Sequence, residues 1–157
     1  MKITVSVDRT SLADAMLELR TLMVTREKAN QICERLATIG AVSASLGFSS
    51  GIYIGANDVN ITVKPEGNGF SVLANGTAVL FLEFGAGVTM GYGHPQAGEF
   101  GFGPGTYPGK GHWDDPNGWY LPDGRHSYGN PPNMAMYNAS KLIQEEVERV
   151  CREVLSA

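Results

Sequence analysis

The sequence predicts an α+β domain: a small antiparallel sheet packed against a long N-terminal helix and a C-terminal helix, with one long Gly- and aromatic-rich loop. Three observations predict it. Amphipathic stripes with three- and four-residue spacing lie toward both ends of the chain. Between them, two short alternating segments flank Pro65-Glu-Gly-Asn-Gly69. Beyond those, 13 of the 20 glycines crowd between positions 85 and 129. At 157 residues the chain is one domain by length, able to bury ~70% of its unfolded surface without a disulfide or metal staple. The expected organisation is a single domain, 1–157, with 85–130 inserted as a loop.

Ile3, Val5 and Val7 alternate with Thr4 and Ser6, which reads as a half-buried strand and not as a signal peptide. Residues 8–11 then carry capping chemistry. Leu12, Ala15, Met16, Leu19, Leu22 and Met23 follow at helical spacing, and the stripe resumes at Ile32, Cys33, Leu36 and Ile39. This is one long helix, bent or broken near Thr25, with Gly40 as its stop. Residues 41–55 are rich in small side chains and ambiguous, and Ile52 and Ile54 around Tyr53 suggest a short extended piece.

Ile61 and Val63 form a strand. Phe70, Val72 and Leu73 form its hairpin partner, which ends at Asn75-Gly76. Residues 77–84 are apolar on both faces and read as a central strand or a buried helical turn; periodicity does not decide between them. The closing helix runs over 132–155. Ala139, Leu142, Ile143, Val147, Val150, Val154 and Leu155 make one stripe, and Gln144, Glu145, Glu148, Arg149 and Arg152 make the opposite face.

A net charge of −4 and a pI near 5.3 argue against a nucleic-acid-binding face, which needs clustered Lys and Arg. No window approaches the ~20 apolar residues of a membrane span. Cys33 and Cys151 fall at apolar positions of expected helices. They read as two unpaired thiols in a reducing compartment, with a disulfide between them as the alternative. The expectation is a soluble protein made in a cytoplasm.

All three histidines, both tryptophans and four of the six tyrosines lie between positions 85 and 129. His94, His112, Asp114 and His126 are candidate ligands for a metal-dependent hydrolase, although no CxxC or HExxH spacing is present. Residues 105–111 lack the hydroxyl that a phosphate loop places on Mg²⁺, so no nucleotide or other cofactor is expected. Glu83 stands inside an apolar run. It reads as a general acid or, preferentially, as a strand-edge carboxylate bonded to backbone amides or to a neighbouring subunit's cation. Trp113, Trp119, Tyr120, Tyr92, Tyr107 and Tyr128 suit a protein interface, a carbohydrate platform, or packing among themselves.

Leu80-Phe-Leu-Glu-Phe-Gly-Ala-Gly87 resembles a signature of the siphophage tail-component family: aromatic, aliphatic, Glu, aromatic, Gly, small, Gly. This is the neck or tail-completion group to which the lambda tail protein Z is related. In that family a variable loop follows, then a proline-rich step and an amphipathic C-terminal helix. Here Gly129-Asn-Pro-Pro-Asn-Met134-Ala-Met136-Tyr137-Asn-Ala139 stands in that place.

The resemblance implies a structural virion protein of the head–tail junction, made in the host bacterial cytoplasm and without catalytic residues. It further implies a homo-oligomeric ring that contacts other phage neck and tail proteins. A strand edge near Glu83 would pack on the next subunit, and the loop and closing helix would supply the two unlike faces of a ring. The candidate interface residues are Glu83, Phe84, Gly85, Trp113, Trp119, Tyr120, Met134 and Met136.

Overall fold

The computed structural model describes residues 25–101 and 115–156. In chain order they form α1 (Arg26–Ser50), the strands β1 (Asn60–Glu66) and β2 (Gly69–Asn75), and the short α2 (Val79–Phe84). The two-residue strands β3 (Trp119–Tyr120) and β4 (His126–Ser127) follow, and α3 (Ala135–Leu155) closes the chain. The architecture is α+β: α1 and α3 pack antiparallel, and the β1–β2 hairpin lies on α1. The strand expected at 3–7 and the helical stripe at 12–23 lie outside the described residues.

Thr25 is where α1 begins. Its hydroxyl accepts the Lys28 backbone N–H at 3.2 Å, an ordinary N-cap. Gly40 does not stop the helix, which runs on to Ser50. Ala37, Gly40, Ala44 and Gly47 fall on one stripe at three- and four-residue spacing, and that stripe is the contact face for α3. A Cβ on Gly40 would overlap Ile143, and one on Gly47 would lie 2.8 Å from Ala135 Cβ. Each glycine costs about 1 kcal/mol of helix propensity; in exchange, α3 approaches closely and dispersion contacts accumulate along both helices. The stretch looked ambiguous in sequence because its buried stripe is Ala and Gly instead of Leu and Ile. Residues 52–54 form no strand. Ile52 is 72% exposed, and the Tyr53 ring turns in to stack on Phe81 at 6.0 Å.

The expected hairpin is present, with Val63 opposite Val72 and Glu66 opposite Gly69. Its turn is only Gly67-Asn68, so Pro65 and Glu66 belong to the strand. Gly67 at φ +56° supplies the positive φ that a type II′ turn needs at its first central position. Ile61 and Ala74 pack on the core formed by Phe48, Ala78, Leu82 and Ala135. Leu73, on the other face, is 37% exposed.

Residues 79–84 are helical, which settles the ambiguity of the apolar run: among the described residues the β1–β2 sheet has two strands and no central one. The N-cap of α2, Ala78, offers no side-chain oxygen. Asp58 supplies one from 20 residues upstream, with Oδ1 accepting from Ala78 N–H (2.9 Å) and Oδ2 from Thr77 N–H and Oγ1 (2.8 Å each). These bonds lower the Asp58 pKa to about 2, the Thr77 amide contributing most. The carboxylate is depressed below its unfolded value of about 4. Its contribution is therefore complete above that value and is lost as pH falls toward 2. Asp58→Asn is expected to melt below the parent at pH 7, with the gap closing between pH 4 and 2; thermal melts across that range check it.

The closing helix starts at Ala135, three residues later than expected. Ala139, Val150 and Val154 of its stripe are buried, whereas Val147 and Leu155 remain 41% and 43% exposed. On the outer face, Arg149 pairs with Glu146 and Glu153, and Glu153 also reaches Arg35 of α1 at 3.5 Å. Such exposed, solvent-screened pairs add little to stability. Cys33 and Cys151 are both half-buried free thiols. Among the described residues no helix is long and apolar enough to cross a membrane.

Candidate functional site

α3 begins as α2 does, without a cap of its own. Its N-cap position is Met134, in the left-handed region at φ 55° ψ 36° and with no side-chain cap bond. Glu83 reaches across from α2 to do that work. Its Oε2 accepts Met136 N–H at 2.8 Å and its Oε1 accepts Tyr137 N–H at 2.9 Å. Those are the second and third helical positions, the two amides an N-cap oxygen ordinarily serves. A buried carboxylate at a helix N-terminus is also favoured by the helix dipole.

The residues that lead into α3 return the favour. Asn130 Nδ2–H donates to the Phe81 carbonyl at 2.7 Å, Asn133 N–H to Leu82 O at 2.7 Å, and Met134 N–H to Glu83 O at 3.2 Å. Ala86 and Asn130 exchange backbone bonds of 2.9 and 3.1 Å as an isolated antiparallel bridge. Asn133 also donates to the Gly47 carbonyl, and Asn57 Nδ2–H donates to Phe48 O at 2.8 Å, which covers the last turn of α1. Residues 80–87 and 129–137 thus form a reciprocal clamp. One segment closes the C-terminus of α2 while Glu83 closes the N-terminus of α3.

His94 completes the clamp. Gln96 N–H donates to its Nδ1 at 3.1 Å, so the ring proton sits on Nε2 and is directed at Glu83 Oε1, 3.2 Å away. The side chain is 2% exposed, and the ring lies 4.4 Å from Phe84 and 5.6 Å from Tyr137. Both ring nitrogens are thus engaged within the fold.

The structure therefore corrects the strand-edge reading of Glu83. The residue is on a helix and only 5% exposed, and its carboxylate meets backbone amides of its own protomer. Phe84 and Gly85 are buried beside it, so these three interface candidates face inward. Met134 and Met136 are half-buried in the same clamp, with Met136 against the core cluster. Trp119 is half-buried in a cleft of about 110 Å³ shared with Tyr53, Phe81 and Leu121. Partial burial and the charge of Asp58 push the Tyr53 phenol above its usual range.

Tyr120 is 74% exposed. Its ring and that of the exposed Tyr128 each stand 4.6 Å from His126, an aromatic ladder on the β3–β4 hairpin. Trp113, His112 and Asp114 lie outside the described residues. Among the described residues no three His, Cys, Asp or Glu side chains converge as a metal centre requires.

Sequence reasoning picked out Glu83 but missed Asn130, Asn133, Asn57, Asp58 and Gln96. The available signal was negative: neither α2 nor α3 has a Ser, Thr, Asp or Asn at its N-cap. No family model matches the chain, and neither a curated protein nor a solved structure was found similar to it.

Proposed function

We propose that this chain is a non-enzymatic assembly component of a phage virion, a neck or tail-completion protein of the head–tail junction. It acts by protein–protein contact as a homo-oligomeric ring, is made in the host bacterial cytoplasm, and meets other neck and tail proteins in the particle. One observation carries the reading. The two stretches that resemble the tail-component family, 80–87 and 129–139, contain the two halves of the clamp. Both oxygens of Glu83 are engaged within the fold, by the Met136 and Tyr137 amides and by His94. That supports a signature that shapes a scaffold.

A ring subunit needs two unlike contact faces. The ladder of Tyr120, His126 and Tyr128 has the aromatic character of an interface anchor. The outer side of α1, where Val42 is 56% and Leu46 68% exposed, is a second apolar face. Tyr120→Ala is the variant that tests this assignment. It is expected to shift the oligomer toward monomer and lower particle yield, with the thermal melt unchanged because the side chain is mostly in solvent. An unchanged oligomer together with normal particles would remove the ladder from the account.

A further inference from the structure

An apolar trough of about 410 Å³ runs between α1, α3 and β2, walled by Cys33, Leu36, Phe70, Val72, Met136 and Ile143. Past Phe70 it continues into a second hollow that ends at Arg26, in the first turn of α1. Among the described residues nothing covers it. The 24 residues that precede Thr25 join the fold there, at the head of this trough. They carry Leu12, Ala15, Met16, Leu19, Leu22 and Met23 at helical spacing, with Asp14, Glu18 and Thr21 on the opposite side of such a helix.

We propose that residues 12–23 turn back at Thr25 and lie in this trough as an amphipathic helix, completing the core of their own chain. The dimensions agree. Twelve helical residues span ~18 Å, and Leu36 lies ~15 Å along α1 from Arg26. Thr25, at φ −64° ψ 153°, is extended, as a reversal between two helices requires. Attachment at the mouth of the trough gives the segment a millimolar effective concentration, which a free partner would have to exceed. Packing there also shields the apolar stripe of the segment and the apolar walls of the trough from water together.

A reversal at 24–25 sets position 16 beside Cys33, which supplies the test. In the full chain carrying Cys151→Ser, Met16→Cys is oxidised under mild conditions and compared with Glu18→Cys on the opposite face. The expected result is an intramolecular disulfide to Cys33, at monomer mass, forming at least tenfold faster from position 16 than from 18. Melts of the reduced variants, matched to the parent, show that the fold is intact. Equal rates from the two positions, or no disulfide from either, would overturn the proposal. Disulfide-linked dimers would overturn it too, because they assign the trough to the segment of a neighbouring copy.

Discussion

Glu83→Ala is expected to cost about 3 kcal/mol of stability, read by urea unfolding at neutral pH. The figure combines a lost helix cap, ~1 kcal/mol, with hydrogen bonds to a charged acceptor that leave buried donors behind, ~1.5–3 kcal/mol. The orphaned donors are the Met136 and Tyr137 amides and His94 Nε2–H. Glu83→Gln keeps one carbonyl oxygen but turns an N–H toward a donor, so it should recover only part of the loss. The damage should spread to both sides of the clamp, since α3 loses its cap and His94 loses its anchor. A cost below about 1 kcal/mol, the scale of a single ordinary hydrogen bond, would mean that the clamp does not hold these elements together.

Gly129→Ala is expected to be at least as severe, on the order of 3 kcal/mol or more, the range reached only by named backbone or core defects. Gly129 sits at φ +103°, where an L side chain is strained, and a Cβ there would overlap the carbonyl oxygen of Ala86 and lie 2.7 Å from its carbon. The obstacle is backbone and cannot yield without breaking the Ala86–Asn130 pair. Gly124 is the control. Its φ of +83° is comparable, but no atom lies within 4 Å of the Cβ position. Gly124→Ala should therefore cost only the conformational term, about 1–2 kcal/mol. The difference between the two urea midpoints measures how tightly the clamp closes.

What the sequence made legible was local. The hairpin announced itself through alternation and the turn residues within 65–69, and the closing helix through its stripe. Thr25 was read as a bend or break within one long helix, whereas the described helix starts there. What it hid was carried by contacts between distant residues. Gly40 looked like a stop because a glycine's worth in a helix depends on the partner helix, and Ile143 is 103 positions away. Residues 79–84 fit no single period because a six-residue helix buried at Leu82, Glu83 and Phe84 shows no polar face.

The helix caps were the least legible feature. Asp58 serves amides 19 and 20 positions on, and Glu83 serves amides 53 and 54 positions on, so no local window contains both partners. At Glu83, sequence reasoning preferred a strand-edge carboxylate bonded to backbone amides or to a neighbouring subunit's cation, and of those partners the structure shows the amides. Its placement on a strand edge facing a neighbour was wrong, because the run is helical and the amides belong to the same chain. His94, considered as a metal ligand, instead anchors the loop to that carboxylate.

The most direct test of the central claim is native mass spectrometry of the full chain at micromolar concentration. Assembly as a ring predicts one closed homo-oligomer of fixed subunit number, which Tyr120→Ala shifts toward monomer. A wild-type chain that flies only as monomer at every concentration tested would contradict it.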